Sequence, residues 1–419
     1  MMDLEEWKFF KLEQLIDIIN GFAFPSEYFT KGEGIPLIRI RDLENHSTEL
    51  NYKGHFSTEY LVYTNNILVG MDGDFIIVKW RGNLAILNQR VCKLVTKNLN
   101  QLDETFLVYR IVDEISNIHK KTSATTVKHL SSKDILNIQI KLPNISEQRK
   151  IAEILSTIDR AISQTEAILK KQQRIKTGLI QDLLTKGIDE KGNIRTEETH
   201  EFKDSPLGCI PVEWDIKELR EISLVIDPNP SHRYPPPSDL GIPIASTENF
   251  IGDNDFDLSF SEKVSLSIFK QQNKRCNFSE SDIVFARKGR LGFARPYGKL
   301  QKVFSHTIVI LKPRNEKQLH SRYLLWVVRF RDFFEQIDKR MNSNSGVPTL
   351  GVAFLEAVPI RIPKIFEQTQ ICLILDSLDL EIEKNRQILS KLKHQKTALM
   401  QDLLTGKVRV TQLTTNVPP

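Results

Sequence analysis

The stretch IKLPNISEQRKIAEILSTIDRAISQTEAILKKQQRIKTGLIQDLLT, residues 140–185, returns 220 positions later as IRIPKIFEQTQICLILDSLDLEIEKNRQILSKLKHQKTALMQDLLT, residues 360–405, without a gap. Of the 46 aligned positions 21 are identical, among them Pro143/Pro363, Glu147-Gln148/Glu367-Gln368, Asp159/Asp379, Lys176-Thr177/Lys396-Thr397 and the closing QDLLT. Self-similarity of this length at one fixed offset marks an internal repeat. Weaker echoes carry it backwards, with the offset shifting where loops differ in length. Trp7 and Leu12 match Trp214 and Leu219, GIPLIRI at 34–40 matches GIPIAST at 241–247, and Asn66-Ile67, Gly73 and Gly82 match Asp282-Ile283, Gly289 and Gly298. The chain is a tandem duplication, and each copy reads as a domain followed by a helix.

Both repeated ends are predicted to be long helices. Apolar residues fall on steps of four and three: Ile151, Leu155, Ile158, Ile162, Leu169, Leu179 and Leu183 in the first copy, and Ile371, Leu375, Leu378, Ile382, Leu389, Leu392, Leu399 and Leu403 in the second. A seam with a 3.5-residue period is what a coiled-coil partner requires. No proline interrupts either run, and Pro143 and Pro363 stand just ahead of the start, where a missing N–H costs nothing. Residues 147–184 alone would make a rod of about 57 Å at ~1.5 Å per residue. Such a rod needs a partner, and its own repeat is the nearest one; two equivalent units related by a pseudo-two-fold axis would pair the helices antiparallel. Thr165 and Asn385, equivalent polar residues near each helix centre, are expected to meet at the crossing. Lys176, Lys396 and the Lys-rich stretch 170–176 read as a solvated face, with a partner or phosphate contact as the alternative.

The composition, 40% hydrophobic and 26% charged, is that of a globular protein able to bury cores. At 419 residues there is room for two or three domains. A formal charge of +5 permits a basic partner surface without demanding one. The four cysteines, Cys92, Cys209, Cys276 and Cys372, show no paired spacing, and the histidines show none either, so no metal site or disulfide framework is expected. The opening MMDLEEWKFF carries acids where a signal peptide has lysines followed by an apolar run, and no window approaches ~18 apolar residues. A cytoplasmic protein without membrane contact is expected.

The remaining sequence divides into 1–142 and 205–362, with 143–187 and 363–408 as helices, 188–204 as a linker and 409–419 as a tail. Short apolar or alternating runs (IPLIRI at 35–40, DFIIVKW at 74–80, SDIVFAR at 281–287, HTIVILK at 306–312) alternate with helical stretches near 102–112 and 319–340. Each domain is therefore α+β. The two copies agree at framework positions and diverge at predicted loops. Asp72-Gly73-Asp74 stands opposite Lys288-Gly289-Arg290, Arg39-Ile40-Arg41-Asp42 opposite Ser246-Thr247-Glu248-Asn249, Lys79-Trp80-Arg81 opposite Arg295-Pro296-Tyr297, and Asn88-Gln89-Arg90 opposite Phe304-Ser305-His306. Arg, Lys, Asn, Gln, Ser and Thr are the side chains that read base edges or grip phosphates. The candidates for DNA contact are Arg39, Arg41, Lys79, Arg81, Asn88, Gln89 and Arg90 in the first copy. In the second they are Thr247, Asn249, Arg287, Lys288, Arg290, Arg295, Ser305 and His306. The bland alternative is a set of polar loops that have drifted apart. It is weakest for Arg287-Lys288-Gly289-Arg290 with Arg295, where four cations surround a glycine turn. Gly73 and Gly289 themselves read as turn glycines.

On these residues the chain resembles the specificity subunits of type I restriction-modification systems over essentially its whole length. The resemblance is carried by SPLGCIPVEWDIKELREI at 205–222, NGFAFPSEYF at 20–29, GIPLIRIRDL at 34–43 and the two P-x-x-x-EQ…QDLLT helices. NGFAF has no clean counterpart in the second copy, where DPNPSHRYPPPSD occupies 227–239. The resemblance implies two target-recognition domains, each reading one half of an asymmetric bipartite site on double-stranded DNA. It further implies a helix pair that sets the spacer and docks two methyltransferase subunits, with two motor-nuclease restriction subunits joining. AdoMet, ATP and Mg²⁺ would serve those partners, and none is expected to bind this chain.

Catalytic readings find little support. An amino-methyltransferase needs a Gly-rich AdoMet loop and an Asn/Asp-Pro-Pro-aromatic motif; Asp227-Pro228-Asn229-Pro230 lacks the adjacent prolines and the aromatic. Gly292 to Lys299 is no phosphate loop. Glu201-Phe202-Lys203 and Asp215-Ile216-Lys217 fit a short nuclease pattern that arises freely in a chain this charged. The non-enzyme competitor is a coiled-coil scaffold without intrinsic DNA specificity.

Overall fold

The computed structural model describes residues 6–121, 129–231, 233–338 and 349–410. The chain divides into two compact units, one of residues 1–167 with 386–419, the other of 168–385. Both long helices are present, Ile145–Thr185 and Ile365–Leu403. Each contributes half its length to one unit and half to the other.

The first unit is built on a four-stranded antiparallel sheet in the order Ile16–Asn20, Val91–Thr96, Ile67–Gly70, Ile77–Lys79. A second, five-stranded sheet contains a parallel pair, Ile35–Ile38 with Ala85–Leu87. The apolar runs become strands because their β-branched side chains fill a pleated, buried surface; all four residues of Ile67–Gly70 are buried. The helix Glu104–Lys121 covers the first sheet with Phe106, Leu107 and Ile111, in a core shared with Ile151 and Leu155 of one long helix, Leu403 at the end of the other and Leu404 just beyond it.

The second unit repeats this plan. Its four-stranded sheet runs Ser223–Ile226, Ile308–Pro313, Ile283–Ala286, Ala294–Pro296, and Pro237–Ala245 pairs in parallel with Val303–Phe304. Two helices, Ser321–Arg329 and Arg331–Asp338, take the place of Glu104–Lys121. The core draws Leu183 and Leu184 from one long helix and Ile371, Cys372 and Leu375 from the other. The outer ends of the predicted seam thus serve as core of the recognition domains.

Within each unit the two helices run antiparallel. In the first, Asp159 pairs with Lys396 at 2.7 Å and Glu166 with Lys393 at 2.7 Å. In the second, Gln172 accepts from Asn385 at 3.0 Å and Asp379 pairs with Lys176 at 2.6 Å. One repeat apart, the same Lys and Asp make the same bridge. This corrects two expectations: Lys176 and Lys396 hold the helices together and do not form a solvated face, and Asn385 meets Gln172, not Thr165. Thr165 instead bonds back to the carbonyl of Ala161. The register places Asn385 opposite a residue seven positions beyond Thr165, about 10 Å along the axis at ~1.5 Å per residue. Every seam residue, Leu392 included, is buried or half-buried. Lys176→Ala is expected to cost the second unit about 1–3 kcal/mol, the range for a hydrogen bond to a charged group that leaves its partner half-buried. A double-mutant cycle with Asp379→Ala, followed by urea denaturation, checks this; zero coupling would refute the bridge.

The shared Glu-Gln pair does the same work in both copies. Gln148 donates to the carbonyls of Gln101 and Pro143 and accepts from the Asp103 N–H. Gln368 donates to Gln318 and Pro363 and accepts from the His320 N–H. Each glutamine bolts the start of a long helix to the domain before it. Each glutamate takes an arginine from beyond the end of the opposing helix: Glu147 binds Arg409, and Glu367 binds Arg195. Glu367 also accepts from the Trp214 indole and the Ile188 N–H. The segment 188–204 is accordingly part of the second unit, with Ile188 bridged to Ile194 and Arg195 only 7% exposed. Arg409 and Val410 belong to the first unit in the same way, and 411–419 lie outside the described residues.

Candidate nucleic-acid interface

One end of each four-stranded sheet extends into a three-stranded ladder that organises the tip. In the first unit the Met71 N–H donates to the Arg90 carbonyl (2.9 Å) and the Leu130 N–H to the Met71 carbonyl (2.7 Å), so Arg90, Met71-Asp72 and His129-Leu130 lie side by side. In the second, the Arg287 N–H donates to the Thr307 carbonyl (2.9 Å) and the Leu350 N–H to the Arg287 carbonyl (2.8 Å). The bridge Asp72↔His129 becomes Lys288↔Thr349. The backbone scaffold is common and the chemistry is exchanged, an acid in one copy for a base in the other. Gly73 and Gly289 turn the chain at this edge with φ of 73° and 78°, as their reading required. Gly21 admits the neighbouring turn closely: a Cβ there would lie 1.9 Å from the Asn88 carbonyl oxygen.

The predicted contact residues separate by environment. In the first unit Arg41, Arg81, Gln89 and Arg90 are exposed. Arg90 is ion-paired to Asp72, whose other oxygen meets His129 Nδ1 at 2.7 Å. Arg39 is held by Asp42 and Glu49, in a cap where the Asp42 carboxylate accepts the Arg39 N–H. Lys79 donates to Thr105 (2.9 Å), and Asn88 is buried at 8% exposure with its side chain turned onto the Gln89 N–H. These three are framework groups. His46 meets Trp80 edge to face and accepts the Arg81 N–H, and burial holds its pKa below 6.5 with help from the Arg81 charge.

In the second unit the basic tip divides: Arg287 and Arg295 are interior, which removes those two from the expected contacts, while Lys288 and Arg290 remain at the surface. Arg295 is 2% exposed: it donates to the carbonyl of Ile251 (3.0 Å) and also to that of Asp255, and its guanidinium lies 3.8 Å from the Phe250 ring centroid. Burial brings its pKa down to about 10. Arg287 is buried, donating to the His306 carbonyl and pairing with Asp227. Thr247 and Ser305 are buried, the latter bonded to Thr307. Asn249 caps Ser246 and ties down Asp257 and Ser261, the counterpart of the Arg39/Asp42 cap. Lys288 and His306 are half-exposed; Arg290 is exposed, though it donates to the Phe250 carbonyl. Sequence reasoning quoted Asp72 only as a contrast and missed His129. The constant 220-residue offset that pairs His129 with Thr349 was the available signal. Among the described residues, no group of three or more His, Cys, Asp or Glu could hold a metal ion, and no helix is long and apolar enough to cross a membrane.

Two repeated α+β units, each closed by paired helix ends and presenting one scaffold with different side chains, define a two-part recognition protein. The family model described as type I restriction modification DNA specificity domain matches residues 4–176 and again 211–394, and the chain belongs to that family. It is 32% identical over 297 residues to the EcoBI type I restriction enzyme specificity subunit of Escherichia coli, an alignment covering 69% of this chain and 61% of that relative. It is 27% identical over 363 residues to the MjaVIII specificity subunit of Methanocaldococcus jannaschii, covering 85% and 82%. The crystal structure of the type I restriction-modification S subunit from M. genitalium shares the fold, with a TM-score of 0.63 over 96% of this chain and 98% of that one at 16% identity.

Proposed function

We propose that this chain is the non-catalytic subunit that selects the DNA sequence for a type I restriction-modification complex, each unit reading one half of an asymmetric bipartite site. The observation that carries the reading is the shared ladder with exchanged side chains, Asp72, Arg90 and His129 in one unit against Lys288, Thr307 and Thr349 in the other. One scaffold with two chemistries suits two different half-sites, whereas a mere scaffold has no need to keep the ladder while changing its edge. The paired helices set the spacer and dock two methyltransferase subunits, and two restriction subunits join for cleavage. AdoMet, ATP and Mg²⁺ are used by those partners in the cytoplasm.

The test is methylome sequencing of a host expressing the chain with its methyltransferase partner. A bipartite motif is expected, and exchange of residues 1–142 for those of another subunit should alter one half of it alone. Modification without any bipartite motif would refute the proposal.

A further inference from the structure

We infer that Arg90 reads a guanine and that Asp72, set by His129, is its positioning residue. This rests on the proposed function and names where in the first unit part of its specificity resides. The Arg90 side chain is 63% exposed, yet it is clamped by a carboxylate that is itself only 14% exposed, and His129 holds the second oxygen of that carboxylate at 2.7 Å. The ladder through Met71 supplies this geometry from the backbone, since it sets Arg90, Asp72 and His129 side by side on neighbouring segments. Three lines of chemistry then converge. A guanidinium anchored through Nη1 by the Asp72 carboxylate still carries the forked pair of Nε and Nη2 donors that matches the O6 and N7 acceptors of guanine in the major groove. Holding it before the encounter removes the ordering cost of a long, mobile side chain. An anion beside it disfavours a backbone phosphate, which carries the same sign of charge, and leaves a neutral base edge as the better partner.

The second unit argues the same point by contrast. Lys288 replaces the acid, Thr307 the arginine and Thr349 the histidine at matching ladder positions, one residue beyond the His306 that sequence alignment sets opposite Arg90. None of these ladder positions carries an arginine paired to a carboxylate, so this guanine contact belongs to the first half-site. Exposed Gln89 flanks Arg90, and Ser132, bonded to Asn20 at 2.8 Å, opens the short helix Ser132–Leu136 that follows His129.

The experiment uses the full chain assembled with its methyltransferase subunits, in a binding selection on randomised duplexes at fixed salt, followed by competition assays. Arg90→Ala is expected to erase the preference for guanine at one position of one half-site, reducing discrimination there about 5- to 150-fold. The other half-site should stay intact, which also controls for folding. Asp72→Asn, with Arg90 present, should weaken discrimination at that same position only, and Asp72→Glu should restore part of it. Arg90→Ala that leaves the motif unchanged, lowers affinity evenly across sequences, or damages both half-sites would overturn the assignment. So would an Asp72→Asn variant with full discrimination. If the parent complex selects no bipartite sequence, the proposed function fails instead.

Discussion

Glu367→Ala is expected to destabilise the second unit by about 3–5 kcal/mol, because removing one partner of a buried ion pair strands the other charge. Arg195 is 7% exposed and would face that stranding, while the Trp214 indole and the Ile188 N–H would lose their acceptor. At roughly 2–4 °C per kcal/mol for a unit of this size, its melting transition should fall by about 6–20 °C. The matching change in the first unit, Glu147→Ala, should cost less. Glu147 is as deeply buried, but Arg409 keeps 20% of its side chain in water and can be rehydrated. Calorimetry on the full chain checks both. A shift under about 2 °C for Glu367→Ala, or a larger loss from Glu147→Ala, would show that these clamps do not hold the helix ends.

The second large effect concerns spacing. Seven residues inserted into both long helices, after Ala167 and after Gln387, add two turns and about 10.5 Å. At about 3.4 Å per base pair this equals three base pairs, so the modified motif should keep both half-sites and gain about three base pairs of spacer. Three base pairs also turn the duplex by about 100°, given ~10.5 per helical turn, and binding at the new spacing should be weaker than the parent's. Insertion into one helix alone should abolish modification. The bridges Lys396–Asp159 and Lys176–Asp379 fix a register that cannot be kept at both ends with helices of unequal length. Methylome sequencing reads both results, and an unchanged spacer after the double insertion would end the ruler idea.

Legibility differed sharply between the architecture and the tips. The duplication, the two long helices, their antiparallel pairing and the α+β character of each domain follow from offset and periodicity, which are properties of the chain read along itself. Thr165 marks where that reasoning stopped: symmetry equates it with Asn385, but the axial register depends on how the ends pack, and Gln172 takes the position across from Asn385. The same limit explains the roles of Lys176 and Lys396. Their partners lie about 200 residues away, outside any local pattern.

The polar tips depended on burial, and burial is set by what other segments bring. Arg295 and Arg90 stand alike in sequence as arginines at positions where the two copies diverge. Three backbone carbonyls from 251–255 and the rings of Phe250 and Phe256 close over Arg295, whereas Arg90 meets one carboxylate and water. Repeat, helix and domain were therefore decided by the amino-acid sequence alone, because hydrophobic spacing is local. Which cations face outward, and which hold the protein together, was decided only in the tertiary structure, where distant carbonyls and rings determine the solvation of each charge.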